Sequence, residues 1–117
     1  MNFNIKKVKI ITTLPSEDTE KVRREICNSG AGIIGNYSNC SMCTKCIGTF
    51  KPNDKANPYI GENNKLEFVE EDKLEVVCSV DKVNVVVKKL REVHPYEEPA
   101  IDIIPLLDEK DFIEQIV

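Results

Sequence analysis

The chain has 117 residues, 41% apolar and 31% charged, with a formal net charge of −4. That length suits one domain, residues 1–117, able to bury a compact core. No apolar run approaches the roughly 18 residues of a membrane-crossing helix, and the acidic balance without a basic patch speaks against nucleic acid as a partner.

The chain opens with MNFNIKKVKIITTLP, lysines followed by a short apolar stretch. The apolar part is too short for a signal peptide, and no small-residue cleavage site follows. IKKVKIITTL reads instead as a first strand, rich in β-branched residues and ended by Pro15. A cytoplasmic location is expected. The five cysteines agree with it: an odd number without a secretory signal reads as reduced thiols.

SEDTEKVRREICNSG reads as a helix. Ser16 is the expected N-cap, Glu17 and Asp18 favour the positive end of the helix, and Gly30 suits the stop. Val22 and Ile26 share one face, with Cys27 beside them. Gly30, Gly32 and Gly35 then form a turn. A dinucleotide loop needs a strand before its glycines and a helix after them, whereas here a helix precedes and a strand follows. The cysteine stretch reaches GTFKP, and NDKANPYIGENN is a polar loop. KLEFVEEDKLEVVCSV reads as a strand with a polar interruption near Glu70 to Lys73. A second helix spans about Asp81 to Val93, with Val83, Val86, Val87, Leu90 and Val93 at helical spacing. Lys88, Lys89 and Arg91 fall on its polar face. HPYEEP is a rigid turn between Pro95 and Pro99, and His94 before the proline leaves helical geometry. AIDIIPLL is the last strand, and DEKDFIEQIV a short terminal helix with Phe112, Ile113 and Ile116 on one side.

The order strand, helix, strand, strand, helix, strand predicts a ferredoxin-like α+β sandwich. Its four-stranded antiparallel sheet carries two helices on one face, plus the short C-terminal helix.

Two groups of residues could carry chemistry. Cys40, Cys43 and Cys46 stand at C-x-x-C-x-x-C spacing. Zinc needs four ligands within roughly 2.0–2.3 Å. On a flat strand, residues three apart are separated by about 10 Å and point to opposite faces, so chelation requires a coiled loop. The spacing resembles a cluster-binding run, but Phe50 stands where the fourth cysteine would be. Cys27 and Cys78 lie on apolar faces and read as core. The second group is His94, the only histidine, with Glu97 and Glu98. One imidazole and two carboxylates could bind a divalent ion or move a proton. Equally, His94 could cap its helix, with the glutamates solvated.

GAGIIGNYSNCS, GTFKPNDKANPYIG, KLEFVEEDKLEVV and HPYEEPAIDIIPL together resemble the YqfO-type domain of the dinuclear-metal family named after the NGG-interacting factor. The resemblance spans about Lys6 to Leu107. It implies a PII/CutA-like fold, a trimer formed through sheet edges, and a non-catalytic binding or regulatory role. The implied small ligand or divalent metal, such as zinc or copper, would sit in a cleft between subunits. There HPYEEP of one chain would meet GNYSNC and GTFKP of another. The expected ligand-binding residues are Asn36, Tyr37, Gly48, Thr49 and Tyr96. The expected metal ligands are His94, Glu97, Glu98, Cys40, Cys43 and Cys46. The family's catalytic residues lie in its other domain, so none is assigned here. Two alternatives stand beside this reading: a thiolate metal or iron–sulfur protein using the three cysteines, and an accessory domain to a dinuclear-metal hydrolase of the same family. Typical members carry serine and glycine at the positions of Cys43 and Cys46, so those two cysteines look particular to this chain.

Overall fold

The computed structural model describes residues 3–113. Its elements are β1 (Lys7–Pro15), α1 (Thr19–Asn28), β2 (Met42–Phe50), β3 (Glu67–Ser79), α2 (Val83–Val93), β4 (Ile101–Leu106) and α3 (Lys110–Ile113). The sheet order is β2-β3-β1-β4 and every pairing is antiparallel. The ferredoxin-like expectation is met. The predicted terminal helix is present as α3, and Ile116 lies outside the described residues. Among the described residues no helix is long and apolar enough to cross a membrane.

Alternation in β1 decides which face the helices cover. Val8, Ile10, Thr12 and Leu14 are buried, and the register sets Cys78, Val76, Leu74 and Asp72 of β3 opposite them on the same face. Onto this face α1 brings Val22, Ile26 and Cys27, and α2 brings Val86 and Leu90. Full burial of an aliphatic side chain of this size stabilises by about 1.5–3 kcal/mol, so these residues hold the layers together. Cys27 and Cys78 are core residues, as expected. The helix α1 stops where the glycine predicts. Ala31 N–H donates to Ile26 O and Gly30 N–H to Cys27 O, both at 3.2 Å, and Gly30 has φ +123°. That double bond is the Schellman end, which needs a residue tolerant of positive φ.

Three expectations give way. Ser16 makes no cap; a short 3₁₀ turn, Ser16–Asp18, precedes α1, and the Ser16 hydroxyl donates to Asp72 Oδ1 at 3.0 Å. A buried carboxylate without that donor would be costly, and this need outcompetes capping. The cysteine stretch is strand only from Met42 onward. Cys40 sits in the preceding loop, its N–H bonded to Gly32 O at 2.8 Å. Finally, β3 runs unbroken through Glu70 to Lys73. Glu71 and Asp72 are buried inside it at 5% and 6% exposure. The polar stretch is therefore no gap in the strand but two carboxylates folded inward.

β3 is longer than β1 and pairs with it only from Glu71 onward. Residues 67–70 of β3 and the end of β2 thus extend past Pro15 as a two-stranded arm. The loop 51–66 returns along this arm, tied by Asn64 N–H to Pro52 O at 2.6 Å.

Candidate ligand cleft

Beyond the end of β1, loop 51–66 and the turn 94–100 face each other over the sheet. They enclose a cleft of about 310 Å³, within the range typical of small-molecule sites. Thr13, Thr49 and Glu71 come from the strands. Phe50, Pro58 and Tyr59 come from the end of β2 and the loop, and Tyr96, Glu97 and Glu98 from the turn. Among the described residues two hydrogen bonds join the loop to the rest: Asn57 N–H donates to Glu97 Oε1 at 3.0 Å, and Tyr59 O–H to Asp18 Oδ2 at 3.3 Å.

His94 builds the turn. It is buried, and its two ring nitrogens have opposite jobs. Nδ1 accepts the Tyr96 N–H at 3.1 Å, so Nε2 carries the proton and donates to Thr13 O at 3.0 Å. Neutral imidazole has one donor and one acceptor, and both are used. Burial pushes its pKa down, only partly countered by the Thr13 carbonyl. No lone pair remains for a metal ion in this arrangement, so His94 positions the turn. The capping alternative is close but also differs: the backbone N–H of His94 bonds Leu90 O at 2.8 Å, while the ring reaches across to β1.

The Tyr96 ring, once placed, meets three others. Its centroid lies 5.2 Å from His94, 6.1 Å from Phe50 and 6.3 Å from Tyr59, in the tilted range that aromatic pairs favour. Its hydroxyl donates to Glu71 Oε2 at 2.5 Å. Burial, then this bond to a carboxylate, push the Tyr96 pKa well up, so it stays a donor at any ordinary pH. Glu71 Oε1 receives no hydrogen bond from the described residues.

Gly48 lets this carboxylate lie flat on β2. A Cβ at Gly48 would overlap Glu71 Oε1, so a larger residue there would force the carboxylate to move. Next to it Asp72 points to the helix side. Hydrogen bonding from the Thr19 hydroxyl, then from Lys45 and Ser16, holds its carboxyl below the usual range. Thr19 Oγ1 also stands 3.5 Å from Pro15 O, a long contact, and the carboxylate is its better acceptor. Lys45 Nζ reaches Asp72 at 3.2 Å.

The predicted site residues therefore divide. Thr49, Tyr96, Glu97 and Glu98 line the cleft. His94 and Gly48 stand behind it. HPYEEP and GTFKP meet within one chain, because the β3 arm carries the end of β2 to the turn. GNYSNC of the same chain does not join them. It lies before the other end of β2, roughly 27 Å away at 3.4 Å per strand residue. There Asn36 and Tyr37 belong to a turn closed by Ile34 and Tyr37, which exchange backbone bonds at 2.9 Å, and Tyr37 is 76% exposed. Cys43 and Cys46 project to opposite faces of β2, opposite Leu74 and Glu71 respectively, and the Cys46 thiol contacts Glu71 O at 3.5 Å. Desolvation pushes both thiols up, reinforced by Asp72 at Cys43 and by Glu71 at Cys46. Among the described residues no three His, Cys, Asp or Glu side chains are grouped to hold a metal ion. Glu71 escaped notice in the sequence. Its only trace there was the charged run Glu70 to Lys73 inside a predicted strand.

No family model matches the chain. A GTP cyclohydrolase 1 type 2 homolog of Halalkalibacterium halodurans is 46% identical over 101 residues, covering 86% of this chain and 27% of that protein. A Bacillus cereus protein related to NIF3 superposes with TM-score 0.75 at 34% identity, over 90% of this chain and 27% of its own. The periplasmic divalent cation tolerance protein CutA of Archaeoglobus fulgidus matches 94% of both chains with TM-score 0.65. At 22% identity, that likeness concerns the fold alone. The chain spans about a quarter of the length of the curated relatives it matches.

Two measurements test this geometry. The folded pKa of His94 lies below its unfolded value, about 6.5, so the unfolded chain takes up the proton first. The stability tied to neutral His94 is then complete above about pH 6.5 and is lost as pH falls towards the folded pKa. Urea unfolding followed across that window will show the decline, and His94→Gln will flatten it. Gly48→Ala will lower stability by about 1–3 kcal/mol, as expected for a side chain forced into filled space. In urea unfolding, a change under about 0.5 kcal/mol would show that Glu71 does not rest on Gly48.

Proposed function

Because this chain carries the YqfO-type domain of the family named after the NGG-interacting factor, with its PII/CutA-like fold, we propose that it is a non-catalytic binding and regulatory module. Its ligand is a small molecule held in the cleft between loop 51–66 and turn 94–100. One observation carries this reading: Glu71, 5% exposed in β3, lines a pocket walled by aromatic rings, with Oε2 bonded to the Tyr96 hydroxyl and Oε1 resting on Gly48. Acidic side chains are seldom buried to this degree. The committed ring nitrogens of His94 favour a small molecule over a metal ion.

The module works as an oligomer, with a trimer as the specific proposal. The sheet face opposite the helices carries Met42 and Ile104, 64% and 43% exposed, and β2 and β4 are its edges. Unpaired edges and exposed apolar residues of this kind invite association. In its biological setting the domain acts on a dinuclear-metal enzyme of the same family, signalling whether the cleft is filled. It is expected in the cytoplasm.

Titration of ¹⁵N-labelled protein with small cations, anions, neutral aromatics and zinc will test the cleft. The expected result is saturable shifts at the Tyr96 and Asn57 amides, removed by Tyr96→Ala. Shifts confined to other regions with every compound would overturn the assignment. Native mass spectrometry is expected to give three chains per particle, and a monomer at micromolar concentration would end the trimer proposal.

A further inference from the structure

We propose that the cleft selects a small organic cation, an ammonium group on a compact apolar or aromatic body. This rests on the reading of the cleft as a ligand site and names the class of ligand.

Charge comes first. Three carboxylates line the cleft, Glu71, Glu97 and Glu98, against one cationic side chain, Lys51. Glu97 is partly engaged by the Asn57 N–H. Glu71 is 5% exposed and lines the cleft with its Oε2 on the Tyr96 hydroxyl. An ammonium brought to these carboxylates supplies both a hydrogen-bond donor and a countercharge.

The walls add a second, independent preference. Phe50, Tyr59 and Tyr96 form one aromatic cluster. The negative faces of such rings attract a cation within about 6 Å of their centroids. An anion would meet repulsion from both the carboxylates and the ring faces.

Size separates an organic cation from a bare ion. A metal ion needs several oxygens converging at about 2.0–2.6 Å, and no such grouping is present among the described residues. A cleft of about 310 Å³ instead suits an ion with a body attached. Pro52, Pro58 and Ile60 give that body an apolar lining.

Benzylammonium, benzyl alcohol and benzoate share one body and differ in charge, so they serve as probes. Titration of the ¹⁵N-labelled chain should show benzylammonium at least tenfold tighter than benzyl alcohol, with benzoate weaker still. Glu71→Gln keeps the shape and an acceptor for the Tyr96 hydroxyl. It should weaken benzylammonium about tenfold and leave benzyl alcohol unchanged. If that variant fails to fold, Glu98→Gln, at an exposed position, should weaken the cation alone by a smaller factor. Equal binding of cation and alcohol, or tighter binding of benzoate, would overturn the cation assignment while leaving the cleft a ligand site. No shift at Tyr96 or Asn57 with any of the three would remove both.

Discussion

The hydrogen bond from Tyr96 to the buried Glu71 carboxylate is the contact on which the rest of the site depends. It links the turn after α2 to the middle of the sheet, two parts that the helical core does not itself connect. On one side it relies on His94, whose two committed nitrogens fix where Tyr96 begins. On the other it relies on Gly48, which leaves room for the carboxylate. The aromatic cluster and loop 51–66 then close around it.

The two halves of the molecule follow different rules. Around α1, α2 and β1 the fold is an ordinary two-layer core, in which alternation and helical spacing decide what is buried. At the far end of the sheet, beyond Pro15, the helices no longer cover the strands. Order there comes from polar contacts and rings: Asn57 with Glu97, Tyr59 with Asp18, Phe50 with Tyr96. Function is more easily placed in the second region, because polar groups there are not needed to hold the core.

Much of this architecture was legible in the sequence. Val22 and Ile26, and Val86 and Leu90, announced the helix faces that are buried, and Gly30 announced the end of α1. HPYEEP and GTFKP, expected to meet between subunits, meet within one chain. What the sequence hid was long-range. Pattern reading treats an acidic run as solvated, so Glu71 and Asp72 looked like a break in a strand. Only the register of β3 against β1 and β2 places one under Tyr96 and the other beside Ser16. His94 was legible as special, being the only histidine, but its role depends on Thr13, 81 residues away. The three cysteines attract attention through their spacing, yet Cys40 lies in the loop before β2 and the pleat sets Cys43 and Cys46 on opposite faces.

Gly48 has one more consequence. β2 is an edge strand with most of its residues exposed, so burial does little to define its alignment with β3. An edge of this type is prone to slippage. The notch at Gly48 removes that freedom. Sliding β2 by one residue would drive Ile47 or Thr49 onto the Glu71 carboxylate, and sliding by two would bring Cys46 or Phe50 there. A missing side chain thus acts as the alignment pin of the sheet's least protected strand, and the same carboxylate that faces the cleft checks that the strand has been laid down in register.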